Sequence, residues 1–290
     1  MKKILIIASA ILFMTSCSSE SQDKHLRYNN IVILSDMSSR IKNEPQKDLD
    51  KIQGIIQYFK DTCVMPGEKI GDKSSLSFST FSNNDIISVD ISKIKNLGEK
   101  QCFINSTGKY KYNGFDQKIA EFEQKIRKTY DDAEDEGLDL ISLLLEKIKN
   151  TSLLKGKTFF SDGINTTNIS YDNHIYIFTD GYLEYKGNSK NNQFYYGNLD
   201  IRKVREYCIK YKVDIDQALE SNVSFCLPVT QNVKDQEITL HIMETHERDK
   251  NAKFLTYNNP IGQRDNEILE AVWKKWANES GFVDLIWEKY

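Results

Sequence analysis

Ile31-Val32-Ile33-Leu34-Ser35-Asp36-Met37-Ser38-Ser39-Arg40 is the stretch that decides the fold. Its four consecutive apolar residues show no polar alternation, which is how a strand reads when helices cover both faces of its sheet. The run then stops on a carboxylate and two hydroxyls. A second stretch repeats the design, with Ile175-Tyr176-Ile177-Phe178 leading into Thr179-Asp180-Gly181. Two such strands are expected in one mostly parallel sheet. Ligands of such sheets bind outside the carboxyl ends of the strands, where strand order reverses. Asp36 and Asp180 are therefore expected to meet at one site.

The rest of the chain alternates helix and strand. Leu49, Ile52, Ile55, Ile56 and Phe59 line one face of a helix that Pro66-Gly67 ends. Leu76 and Phe78 alternate with serines, Asn83-Asn84 marks a turn, and Ile87, Val89 and Ile91 alternate again, which predicts an antiparallel hairpin with its second strand at a sheet edge. After a loose Gly- and Asn-containing stretch come two helices, one carrying Ile119, Phe122 and Ile126, the other Ile141, Leu144, Leu145 and Ile148. A helix is expected near Asp200 to Tyr211, and strands at Val223 to Val229 and Ile238 to Met243. A final helix carries Ile268, Leu269, Val272 and Trp276, with Asp265 or Asn266 as its cap and Gly281 at its end. This order predicts a doubly wound α/β domain: a mostly parallel central sheet, helices on both faces, and an antiparallel edge hairpin. Trp273, Trp276 and Trp287 read as packing residues.

At the amino end, Lys2 and Lys3 precede an apolar stretch from Ile4 to Phe13 that is too short to span a bilayer, so residues 1–16 read as a signal peptide. Met14-Thr15-Ser16-Cys17 resembles the lipobox of bacterial lipoproteins. That resemblance implies cleavage before Cys17, acylation with chains such as palmitate, and anchoring in the cell envelope, on the outer membrane. Residues 17–28 read as a polar tether, within which Ser18 to Asp23 is similar to acidic signals that send some lipoproteins to the cell surface. One domain then fills residues 29–290.

Without Lys2 and Lys3 the chain has 37 basic residues against 42 acidic, a net charge of about −5, which argues against a nucleic-acid partner. Beyond Cys17 stand Cys63, Cys102, Cys208 and Cys226, too widely spaced for a zinc knuckle; both disulfides and buried thiols suit them. Asp131 to Gly137 is a charge run of the kind found in solvated loops, without the ligand spacing of an EF-hand. His241, Glu244 and His246 lack the two-histidine helical order of a metalloprotease. No Gly-x-Ser-x-Gly elbow, phosphate loop or dinucleotide fingerprint is present.

Paired carboxylates repel unless a cation lies between them. Ser38 adds a hydroxyl to Asp36 and Asp180, a hard-oxygen set suited to Mg2+, with Mn2+ or Ca2+ as alternatives. On these residues the chain resembles a von Willebrand factor type A domain, whose metal-ion-dependent adhesion site opens with Asp-x-Ser-x-Ser. Asp36 and Ser38 match the first two motif positions, and Thr179-Asp180-Gly181 matches the later aspartate-glycine segment. The third motif position holds Arg40, which cannot ligate a metal. The family's threonine falls at Leu138, beside Asp139, which suits either a substitute ligand or a helix cap. Asp36 and Asp180 lie 144 residues apart, which implies insertions. Ser161-Asp162-Gly163 is a rival for the later segment, after a shorter and less apolar strand.

Two versions of the site stay open: one with a metal on Asp36, Ser38 and Asp180, and a metal-free one in which Arg40 neutralises the acids. The resemblance implies a binding module rather than an enzyme. It would engage an envelope or extracellular protein, with Ser39 and Arg40 contacting the partner. The alternatives are an aspartate-dependent phosphoryl-transfer or hydrolytic enzyme, and a structural lipoprotein with a vestigial site.

Overall fold

The computed structural model describes residues 23–37, 45–68, 70–82, 85–132, 139–150, 153–161, 165–185, 193–230, 233, 237–244, 247–251 and 253–289. The signal and lipidation segment through Cys17, the Asn83-Asn84 turn, Asp162-Gly163 and His246 lie outside the described residues, as do Ser38, Ser39, Arg40 and Leu138.

In chain order the elements are β1 (Lys24–Ser35), α1 (Pro45–Tyr58), β2 (Ser75–Thr80), β3 (Ile87–Asp90), α2 (Leu97–Ile104), α3 (Phe115–Asp131), α4 (Leu140–Asn150), β4 (Thr158–Ser161) and β5 (Thr166–Thr179). There follow α5 (Asn198–Tyr211), α6 (Ile215–Ser221), β6 (Ile238–Glu244), β7 (Lys250–Asn251), β8 (Thr256–Tyr257), α7 (Asp265–Ser280) and β9 (Asp284–Lys289). The main sheet runs β3-β2-β1-β5-β6-β9, with β4 folded back on β5. β2, β1, β5, β6 and β9 pair in parallel, whereas β3 and β4 are antiparallel. From β1 the chain builds outward through β2, then returns to add β5, β6 and β9 on the other side, so the switch point lies between β1 and β5. This is a doubly wound α/β fold, compatible with a von Willebrand factor A-like or Rossmann-like arrangement.

The unbroken apolar run of β1 is explained by two cores. Val32 and Leu34 join Ile175 and Ile177 against α4, α5, α6 and α7. Ile31 and Ile33 join Phe178 and Met243 against α1 and α3. Trp273 and Trp276 are fully buried in the first core and meet edge to face. A wholly buried large side chain contributes roughly 1.5–3 kcal/mol, so these layers fix the sheet to its helices. Among the described residues, no helix is long and apolar enough to cross a membrane.

Several sequence expectations need correction. Residues 24–28 belong to β1, not to a tether: they pair with Thr167 to Tyr171, and Arg27 Nε donates to Asp172 at 2.6 Å. Lys24, His25 and Arg27, set around Leu26, hid this extension. β5 likewise begins at Thr166, well before the Ile175 to Phe178 run that marked it in the sequence. The loose stretch contains α2, capped by Asn96 Oδ1 on the Glu99 N–H, with only Lys100, Phe103 and Ile104 buried. Val223 to Val229 is not a strand, because Asn222 Oδ1 accepts from the Ser224 N–H and winds Val223–Phe225 into a 3-10 turn. The short helix α6 and strand β9 were not foreseen, and β9 puts Trp287 on a strand. Helix α7 starts one residue later than its capping residue Arg264, whose N–H donates to Glu267 Oε2 at 2.7 Å.

Candidate functional site at the switch point

The carboxyl ends of β1 and β5 are held together by backbone and side chain. Asp36 N–H continues the ladder to the Phe178 carbonyl at 2.9 Å. Thr179 Oγ1 then donates to Asp36 Oδ2 at 3.3 Å and accepts from the Gly181 N–H at 3.2 Å. Asp36 and Asp180 thus stand at adjacent strand ends, buried to 8% and 2% exposure. Beneath them Ser35 Oγ and Tyr130 Oη lie 2.8 Å apart, and Tyr130 donates to the buried Asp48 at 3.0 Å. This network ties β1 to α3 and to the first turn of α1.

Gly181 is required twice over. Its φ is +82°, and an added Cβ would come within 2.6 Å of the Trp287 ring. Its carbonyl accepts from Trp273 Nε1 at 2.9 Å. The Asp-Gly pair is therefore a fitted corner between β5, β9 and α7, not an interchangeable turn.

Asp180 has a guanidinium partner, and it comes from a segment the sequence did not point to. Arg248 Nε donates to Asp180 Oδ2 at 2.5 Å while its Nη1 donates to Glu184 Oε2 at 2.5 Å. Asp180 Oδ1 accepts from the Tyr182 N–H at 3.2 Å. The Tyr182 ring lies under the Arg248 guanidinium at 4.2 Å, and its hydroxyl donates to Asp265 Oδ2 at 2.6 Å. Asp265 in turn pairs with the buried Arg205, which also donates to the Gln263 carbonyl. Burial alone would lower the pKa of Arg248, but Asp180 and Glu184 outweigh it and raise it, so the cation is permanent. The only sequence signal for Arg248 is an arginine close behind β6, the strand beside β5.

Other expected residues fall elsewhere. Asp139 Oδ1 accepts from the Ser142 N–H at 3.2 Å, so it caps α4. His241 meets a histidine of β5: its Nε2 lies 3.0 Å from His174 Nδ1, and Tyr176 stacks on its ring. Burial pushes the pKa of His241 down to about 4. Cys63, Cys102, Cys208 and Cys226 are all unpaired thiols, and burial pushes Cys63 up to about 11.

The resemblance implies a divalent ion at this site, and its fit is poor. Both oxygens of Asp180 accept from N–H donors, and a fixed guanidinium beside them repels a second cation. Among the described residues, no group of three or more His, Cys, Asp or Glu side chains is placed to hold a metal.

The segment that supplies Arg248 also builds the rim. It runs from the carboxyl end of β6 to α7 and includes the β7–β8 hairpin. Phe254 and Leu255 at its tip are 66% and 75% exposed, Ile261 is 73% exposed, and Leu199 at the start of α5 is 61% exposed. No protein-family model and no curated protein matches this chain.

Proposed function

We propose that this chain is a von Willebrand factor A-like binding module, tethered to the bacterial envelope through an acylated Cys17, that engages a protein partner at its strand-end face without a resident metal. One observation carries the reading. The insertion that sets Arg248 on Asp180 also presents Phe254 and Leu255 to solvent at the same end of the sheet. Exposed aromatic and aliphatic side chains on a rigid base are the usual anchors of an interface. The salt-bridged corner supplies that base: Arg248 is oriented by two carboxylates and a tyrosine ring, leaving the hairpin fixed at its root.

Affinity capture from envelope extract tests this, comparing wild type with a Phe254→Ser/Leu255→Ser variant, each with and without EDTA. Capture that is indifferent to EDTA and weakened more than about tenfold, or ~1.4 kcal/mol, by the double substitution is the expected result. Capture abolished by EDTA and by Asp36→Ala would restore the metal-dependent version. Metal-dependent turnover of a simple phosphate ester, lost in Asp36→Ala, would replace binding with the phosphoryl-transfer reading.

A further inference from the structure

At the amino pole the sheet runs on past its two large cores. Residues 24–28 of β1 lie beside the first part of β5, which lies beside β4, so that Lys24, Thr167 and Phe160 share one row and His25, Asn168 and Phe159 the next. Only a small cluster of Tyr28, Ile169 and Tyr171, with Leu26 packed against it, is buried there. Residues of one row share a face and successive rows alternate, so Phe160 continues the apolar stripe of that cluster while Phe159 stands on the opposite face. All four residues of β4 are exposed, Phe159 to 80% and Phe160 to 65%.

Two adjacent phenylalanines left in water at the tip of a sheet mark a contact surface. A second copy could pair along the free edge of β4, but such pairing only widens the sheet and leaves a ring in water on each face. A medium that surrounds the tip covers both rings. The course of the chain supplies that medium. β1 begins at this pole, and Cys17 lies seven residues ahead of Lys24, a reach of at most ~25 Å. Acyl chains on Cys17 would therefore keep the bilayer within that distance of the overhang. Charge does not oppose the approach: Arg27 pairs with Asp172, Lys157 pairs with Glu237, and the exposed Lys24 has no ion pair among the described residues. Two phenylalanines would hold a free protein only weakly, yet a tether this short raises their effective concentration to the order of millimolar.

We propose that this overhang docks tip-first on the bilayer, with Phe159 and Phe160 entering the boundary between headgroups and acyl chains and Lys24 beside the lipid phosphates, an inference that rests on the acylated Cys17 put forward above. The acyl chains supply the attachment. The overhang sets the orientation, which a flexible tether alone leaves free.

The test uses the mature acylated chain in vesicles of phosphatidylethanolamine and phosphatidylglycerol whose acyl chains are brominated near the headgroup. Phe159→Trp and Phe160→Trp report on the tip, and Phe254→Trp reports on the opposite pole. All three positions are exposed, so each variant is expected to keep the wild-type Tm. With the wild-type signal subtracted, bromolipid should quench the fluorescence added by Phe159→Trp and by Phe160→Trp at least about twofold, and leave that added by Phe254→Trp unchanged. Failure to quench at both tip positions, or equal quenching at all three, would overturn the docking. Shielding of the tip from aqueous iodide without quenching by bromolipid, accompanied by dimerisation, would give it to a second copy instead and overturn the docking as well. An intact mass without acyl chains would sink the anchor and the docking together, whereas an acylated chain with an unquenched tip sinks the docking alone.

Discussion

The two halves of the switch point keep their acids in different ways. On the β1 side, Asp36 takes a hydroxyl from Thr179, while the Ser35–Tyr130–Asp48 chain stabilises the layer below. On the β5 side, Asp180 is locked to Arg248, which is itself locked to Glu184. A neutral hydrogen bond is typically worth about 1 kcal/mol net, and a charge-assisted one about twice that. One acid is thus seated by hydroxyl chemistry and the other by a fixed cation, although the two strands end side by side. The difference shows that the charge of Asp180 is met by a fixed guanidinium of the protein itself.

The contrast can be broken first at Gly181, where it depends on the backbone. Gly181→Ala forces a Cβ into the Trp287 ring at a left-handed φ and should cost about 3 kcal/mol, read by urea denaturation. A loss below about 0.5 kcal/mol would mean that the β5 corner is not fitted as described. Next comes the charge itself. Asp180→Asn leaves Arg248 with one carboxylate and should cost about 2 kcal/mol, less than a fully buried pair because the Arg248 side chain is 35% exposed. Thr179→Val removes the hydroxyl's bonds to the Asp36 carboxylate and to the Gly181 N–H and should cost about 1–2 kcal/mol. Raising salt should narrow the gap between wild type and Asp180→Asn while leaving the Thr179→Val difference in place. Equal salt responses would erase the distinction between the halves.

Acid should act through β6, where His241 stacks on Tyr176 of β5. His241 is held neutral, with its folded pKa near 4 below the usual 6.5. The unfolded chain therefore binds the extra proton first as pH falls, and stability that is complete above about 6.5 is lost progressively toward 4. The loss is of order 3 kcal/mol at its limit, and His241→Gln should flatten it in a pH series of denaturation midpoints. The smallest expected effect is that of metal removal: EDTA should leave Tm unchanged. A fall of several degrees would show that a cation contributes to this corner after all.

The fold was legible because its central strands are covered on both sides. Ile31 to Leu34 and Ile175 to Phe178 read as central strands, and their acidic ends mark the switch point in the sequence itself. Elements with a thin apolar signature were lost. Lys24 to Tyr28 mix Lys24, His25 and Arg27 with Leu26 and a tyrosine on an overhang beside β5 and β4, α2 buries too few residues to show a stripe, and no element is expected after the Gly281 stop, where β9 lies. At the site, strand-end acids are local features that a sequence displays. Their partner is not: Arg248 lies 68 residues beyond Asp180 in a loop of no regular pattern. Asp139 could be read either way until the Ser142 N–H chose the helix-cap role.

The length of β1 sets the molecule's polarity. It runs for 12 residues from Lys24 to Ser35 and delivers Asp36 at its far end, a straight run of about 40 Å at ~3.3 Å per residue. The chain therefore enters β1 at the pole opposite the hairpin and its arginines. In the proposed function, with a lipid at Cys17, β1 would serve as a mast between the anchor and the strand-end face.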